Sequence, residues 1–168
     1  MAKGEIFKGL PKWAQGVIAV AVVGGIGYIS FQIYKKVKAA DANKASKDEI
    51  KSAEDEIKQL SSKIKPTMTQ TQLNNAVNGI KNAFLNYDRF TRTHVQPFYR
   101  ELAKVGNDLD MLNLIKAYKI QTIDFPALKF TANDFTGGLT ESVKNFLTDS
   151  EIDAANGMLA RKGIKNRF

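Results

Sequence analysis

His94 is the only histidine of the 168-residue chain, and cysteine is absent altogether. These two counts bound the chemistry. Without cysteine there are no disulfides, thiolate metal sites or thiol nucleophiles, and a histidine-based metal site or a Ser-His pair could draw on one imidazole only. His94 follows Thr93, a residue suited to start a helix, and a solvated or capping role in that first turn is expected rather than catalysis. The acids Asp108 and Asp110, and Asp149, Glu151 and Asp153, sit where helices are expected to begin, so their carboxylates read as partners of the positive helix ends. No phosphate loop, dinucleotide-binding glycine pattern or calcium-loop spacing occurs. No enzymatic activity, cofactor or metal is expected.

Two further groups could do chemistry. Glu141 and Ser142 resemble the Glu-Ser pair of lytic transglycosylases, but those enzymes need a Gly-Leu-Met-Gln-like motif downstream, and the 26 residues after Ser142 contain none. The other group is Arg161, Lys162, Lys165 and Arg167, four cations within seven residues. Placement at a helix C-terminus accounts for them, and the sequence favours that reading. The sharper reading is a contact with phosphate, of lipid headgroups or of nucleic acid. A specific nucleic-acid site would also want exposed aromatics among the cations, and only Phe168 qualifies.

The elements that must position these residues divide the chain unevenly. Residues 1–12 form a basic flank. No charge occurs between Lys12 and Lys35, a gap of 22 residues, and roughly 20 residues of helix cross a ~30 Å hydrocarbon layer. Residues 13–34 therefore read as a transmembrane helix. Trp13, Tyr28 and Tyr34 lie towards its ends, where amphipathic rings favour the headgroup region, and Lys35, Lys36 and Lys38 can reach outwards. A cleavable signal peptide fits less well, because the apolar run is long and those three lysines precede the small-residue site Ala40-Asp41-Ala42. Ala21 and Gly25 form a small-xxx-small pair through which two such helices could pack. The net charge of +8 follows this division: +5 over residues 1–40, zero over 41–66 and +3 over 67–168. Most of the excess thus flanks the apolar segment, as bilayer anchoring requires.

Residues 35–66 read as a charged helical stalk ended by Pro66. Within it Ile50, Ala53, Ile57, Leu60 and Ile64 repeat at heptad spacing, which fits either a short coiled coil or an amphipathic helix lying on its own downstream domain. Unbroken helix from Pro11 to Lys65 would be about 80 Å long. Residues 67–168 read as a small helical bundle, so the fold class expected is all-α. Its helices are expected to start at the Thr69/Gln72 capping box, at Thr93, at Asp108, at Thr140 and at the Thr148/Glu151 capping box. Gly106 and Gly163 are expected to end helices, the latter in a Schellman turn with Ile164. Residues 120–138 read as a loop with a short extended piece around 127–131.

The opening Lys8-Gly-Leu-Pro-Lys-Trp-Ala14, the exit Tyr34-Lys35-Lys36, the segments Asn107-Asp-Leu-Asp110 and Leu114-Ile-Lys-Ala-Tyr118, and the closing Gly163-Ile-Lys-Asn-Arg-Phe168 together resemble small single-pass membrane proteins of phages that infect Bacteroidetes. The resemblance implies a structural protein in the internal membrane of a tailless, lipid-containing virion, or in the bacterial inner membrane during assembly, and implies no activity. Its partners would be the bilayer, capsid or vertex proteins, and other copies through the transmembrane helix or stalk; nucleic acid has no support beyond the terminal cations. The alternatives are a host-envelope lysis protein, spanin-like or holin-like, or a membrane-anchored adaptor. Five lysines after the span against three before it place the C-terminal domain in the cytoplasm.

Overall fold

The structure, a computed structural model, describes residues 27–124 and 135–168. These residues are mostly helical. Helix α1 spans Gly27–Leu60, followed by α2 (Gln70–Leu85), α3 (Val95–Leu102), α4 (Asp108–Tyr118), strands β1 (Gln121–Ile123) and β2 (Phe135–Gly137), α5 (Leu139–Phe146) and α6 (Asp149–Arg161). The chain divides into two compact units, residues 1–41 and 42–168. Of the first, only the helical backbone of residues 27–41 is described. The second takes in most of the segment assigned above to a stalk.

Helix α1 stops at Leu60, short of Lys65. The hydroxyls of Ser61 and Ser62 donate back to the carbonyls of Lys58 and Gln59 at 3.3 and 3.1 Å, and the amides of Lys63 and Ile64 both close on the carbonyl of Leu60. These local bonds compete with further helix before Pro66 is reached. Ala53 of the heptad stripe is buried, and Ile57 and Leu60 pack at the edge of the domain's own core. Of the two readings of that stripe, this is the intramolecular one.

The core of the second unit is one apolar cluster to which every helix of the unit contributes. Its centre is aromatic: Phe84 of α2 stacks on Phe98 of α3 at 5.5 Å and on Phe146 of α5 at 4.9 Å between ring centroids. Offset ring pairs of this kind add to the burial of the rings themselves. Around them Ile80, Leu102, Met111, Leu114, Tyr118, Val143 and Leu159 are fully enclosed. The region read as a loop holds a small antiparallel pair instead, with Thr122 opposite Thr136 and their hydroxyls 3.2 Å apart. Strands of three residues are too short for an alternating pattern to show in sequence. The extended piece expected around 127–131 lies outside the described residues.

Several helix ends match the sequence and several do not. Both capping boxes form, at Thr69/Gln72 and Thr148/Glu151. Gly163 takes φ +73°, and the bonds Gly163 N–H to the Ala160 carbonyl and Ile164 N–H to the Leu159 carbonyl complete the Schellman turn, with Ile164 buried. Helix α4 is capped by Asn107, one residue before Asp108, its side chain accepting from the Asp110 amide. Helix α3 follows His94, and Thr93 makes no cap. Helix α5 begins at Leu139 after the uncapped Gly138, and Thr140 lies inside its first turn.

Asp110 is fully buried and ties the segment after α1 to the start of α4. Its carboxylate accepts from the amides of Thr67, Met68 and Gly106 at 2.9, 3.1 and 3.1 Å, and from the Thr67 hydroxyl. Gly106 ends no helix; it lets Thr67 approach, because a Cβ there would run into the Thr67 hydroxyl. Asp110→Ala removes the acceptor of three backbone amides, and hydrogen bonds to a charged group contribute ~1.5–3 kcal/mol each. Urea denaturation is expected to show a loss of at least about 3 kcal/mol, with a smaller loss for Asp110→Asn, which keeps an acceptor. Equal losses for the two variants would contradict this role.

Candidate functional site

The first turn of α5 exposes amide donors that its own sequence leaves uncapped, since Gly138 has no side chain. Helix α1 supplies the acceptors. The Gly138 amide donates to Oγ of Ser46 at 2.7 Å, both residues being buried, and the Thr140 hydroxyl and backbone amide donate to the carboxylate of Glu49. A carboxylate at a helix N-terminus meets the positive end of the dipole. Farther along α1, Glu54 pairs with Lys116 of α4 at 3.3 Å across a half-exposed surface. Burial nonetheless raises the Glu49 carboxyl above its ordinary value; the Thr140 bonds and Lys144 pull it down, and Glu141 pushes with burial.

The Glu141-Ser142 pair is taken apart by packing. Ser142 is fully buried, its Oγ donating to the Gly138 carbonyl at 2.7 Å and accepting from the Tyr118 hydroxyl at 3.1 Å, with the Tyr118 pKa pushed up to about 12 by burial. The hydroxyl is thus committed to structure on both sides.

His94 occupies the N-cap position of α3, but its side chain neither caps the helix nor faces solvent. It is buried, its Nε2 sits 2.9 Å from the Phe146 carbonyl, and its ring lies 4.8 Å from that of Tyr87. The carbonyl contact makes Nε2 the protonated nitrogen and leaves Nδ1 buried without a partner among the described residues. Burial first, and then the neighbouring Arg92, hold the imidazole pKa down. Arg92, at φ +52°, reaches from the same loop to the Glu151 carboxylate of α6, and the Tyr99 hydroxyl donates to the Glu151 carbonyl at 2.9 Å. For Glu151, burial pushes up, but the bonds from Arg92 and Thr148 outweigh it and lower the pKa. These groups lock the loop between α2 and α3 onto the α5–α6 junction. Among the described residues, no three acidic or histidine side chains are placed to share a metal ion.

The terminal cations separate into two roles. The Lys162 ammonium donates to the carbonyls of Ala103 and Val105, just past the end of α3. Arg161, Lys165 and Arg167 are exposed, and none has a side-chain ion-pair or hydrogen-bond partner among the described residues. The backbone beneath them is fixed: Asp108 accepts from the amides of Lys165 and Asn166 at 2.7 and 3.0 Å. Asn156 pairs with both the amide and the carbonyl of Phe168 at 2.9 and 3.0 Å. Asp108 is therefore a tie for the C-terminal segment rather than a cap.

Trp13, Ala21 and Gly25 lie outside the described residues, and Tyr28, Tyr34, Lys35, Lys36 and Lys38 fall on the part of α1 where only the backbone is described. No helix among the described residues is long and apolar enough to cross a membrane; the segment 13–34 falls largely outside them. Ile50 and Ile64 of the heptad stripe are half-buried. The sequence reading missed Ser46, Glu49 and Asp110 as organising residues; the one available signal was Gly138 preceding a helix without a capping side chain. Comparison with protein-family models, curated proteins and solved structures finds no match to this chain.

His94 and Glu49 give opposite pH dependences. His94 is held neutral, so its contribution to stability is full above its ordinary value of 6.5 and is lost as pH falls through its lower folded value. Glu49 is raised, so its contribution is full below its ordinary 4.5 and is lost as pH rises through its folded value. Thermal unfolding is expected to show His94→Gln flattening the stability loss below pH 6.5. Glu49→Gln is expected to raise the midpoint at neutral pH with no gain below 4.5. An unchanged acid limb in His94→Gln would contradict the buried neutral imidazole.

Proposed function

We propose that the chain is a membrane-anchored structural protein of a lipid-containing phage particle. Residues 13–34 hold it in the bilayer, and the unit 42–168 is the part offered to capsid or vertex proteins. The observation that carries this reading is the 22-residue uncharged segment between Lys12 and Lys35, edged by Trp13, Tyr34 and lysines. The domain supports it from the other side. Its buried polar groups, Ser46, His94, Asp110 and Ser142, are each bonded into holding helices and loops together. Such a domain is built to keep its shape while tethered.

Expression of the full chain in bacteria, followed by alkaline extraction of the membrane fraction, tests the anchor. The chain is expected to stay with the membrane, and deletion of Gly16–Phe31 to release it. Mass spectrometry of purified particles tests the assignment, with the protein expected in the lipid-containing virion. Absence from particles together with failure of host lysis on deletion would replace this reading with that of a lysis protein. Release of the intact chain by alkali would remove the anchor itself.

A further inference from the structure

The C-terminal end of α6 carries more uncompensated positive charge than helix capping needs. Lys162 reaches the carbonyls past the end of α3 and so brings two helix C-termini together. Arg100 and Lys104 of that region flank the buried carboxylate of Glu101, which answers one of them. Asp108 is occupied by the backbone amides of Lys165 and Asn166. Arg161, Lys165 and Arg167 are left pointing outwards without an acidic partner among the described residues.

The segment 164–168 is also shaped. Ile164 is buried, Asn166 and Phe168 are half-buried, and Lys165 and Arg167 alternate with them on the exposed side. Its backbone is pinned at Asp108 and again at Asn156. The cations therefore stand on a fixed edge, and only their side chains need to be ordered when an anion binds. Nucleic acid is disfavoured as that anion. Single strands are held by cations together with exposed aromatic faces, whereas Phe168 lies against Phe98 at 6.1 Å between ring centroids. Phe90, the exposed large aromatic among the described residues, stands on the loop that Arg92 ties to Glu151, at the other end of α6.

We propose that this edge, through Arg161, Lys165 and Arg167, binds the phosphates of an anionic bilayer surface. The inference rests on the membrane-anchor reading, because anchoring turns a weak surface contact into an intramolecular one. Each cation near an anionic leaflet contributes about fivefold in binding, so three give about a hundredfold, enough to hold a domain that is already tethered.

The absence of native cysteine allows one label, at Ala160→Cys, an exposed position beside the edge. The full chain would be placed in nanodiscs of phosphatidylcholine alone or mixed with phosphatidylglycerol, and a fluorophore at that cysteine quenched by headgroup-labelled lipid. Quenching is expected in the anionic discs only, to be screened by high salt. The docked-to-free ratio should fall about twenty-five-fold when Lys165→Ala and Arg167→Ala are combined. Circular dichroism should be unchanged, since both side chains are exposed. Equal quenching in the two lipids, or no effect of the double variant, would overturn the inference and leave the anchor standing. A chain that never enters the discs would overturn both. Loss of quenching on adding duplex DNA at constant salt would transfer the edge to nucleic acid.

Discussion

A helix that begins at glycine cannot cap itself, and the rest of this domain is arranged around that deficit at α5. Unpaired amides in a buried first turn cost about 1–3 kcal/mol each, so α5 is stable only where something else offers oxygen. Ser46 and Glu49 of α1 do so. The same turn is bonded from the other side: the Gly138 carbonyl accepts from the amide and hydroxyl of Ser142, and that hydroxyl accepts from Tyr118 of α4. A continuous line of hydrogen bonds thus runs from α1 through α5 to α4. Bonds of this kind strengthen one another in a low-dielectric interior. Helix α1, from residue 42 onward, is consequently part of the folded unit and not an appendage to it.

The other connections follow the same design, with a polar side chain closing a segment distant in sequence. Asp110 gathers the link between α1 and α2, Arg92 pins the α2–α3 loop to α6, and Asp108 and Asn156 hold the C-terminal segment. Ser46, His94, Asp110 and Ser142, four of the buried polar residues, are spent on such ties. On the outside, the exposed cations Arg161, Lys165 and Arg167 gather at the C-terminal end of α6. That distribution suits a protein whose task is to be held in place and to touch other surfaces.

What could be read from the sequence was what is local along the chain. The capping boxes at Thr69/Gln72 and Thr148/Glu151 and the Gly163-Ile164 turn close bonds over a few residues, and they form as expected. The apolar periods of α2 and α4 are local in the same way: Leu73, Ala76 and Ile80, and Leu109, Leu112 and Ile115, recur at helical spacing and are buried. Contacts across long separations were not legible. Ser46 and Gly138 are 92 residues apart, and Glu49 stands in a charge-balanced stretch where nothing distinguishes it from Asp48 or Glu54. His94 was misplaced because a helix-start reading considers only its own turn, whereas its burial depends on Tyr87 and Phe146. Asn107 and Asp108 are equally suited to cap α4 by residue type, and packing decides between them: Asn107 caps, and Asp108 turns to the amides of Lys165 and Asn166.

The dependence of α5 on α1 can be measured directly by native-state hydrogen exchange on the full chain. If α1 caps α5, the amides of 46–57 and of 139–146 open with the same free energy, and Ser46→Ala lowers both together. Exchange of residues 46–57 at a much lower free energy than 139–146, unaffected by that substitution, would show that α1 leaves the domain while α5 stays folded, contradicting the shared cap.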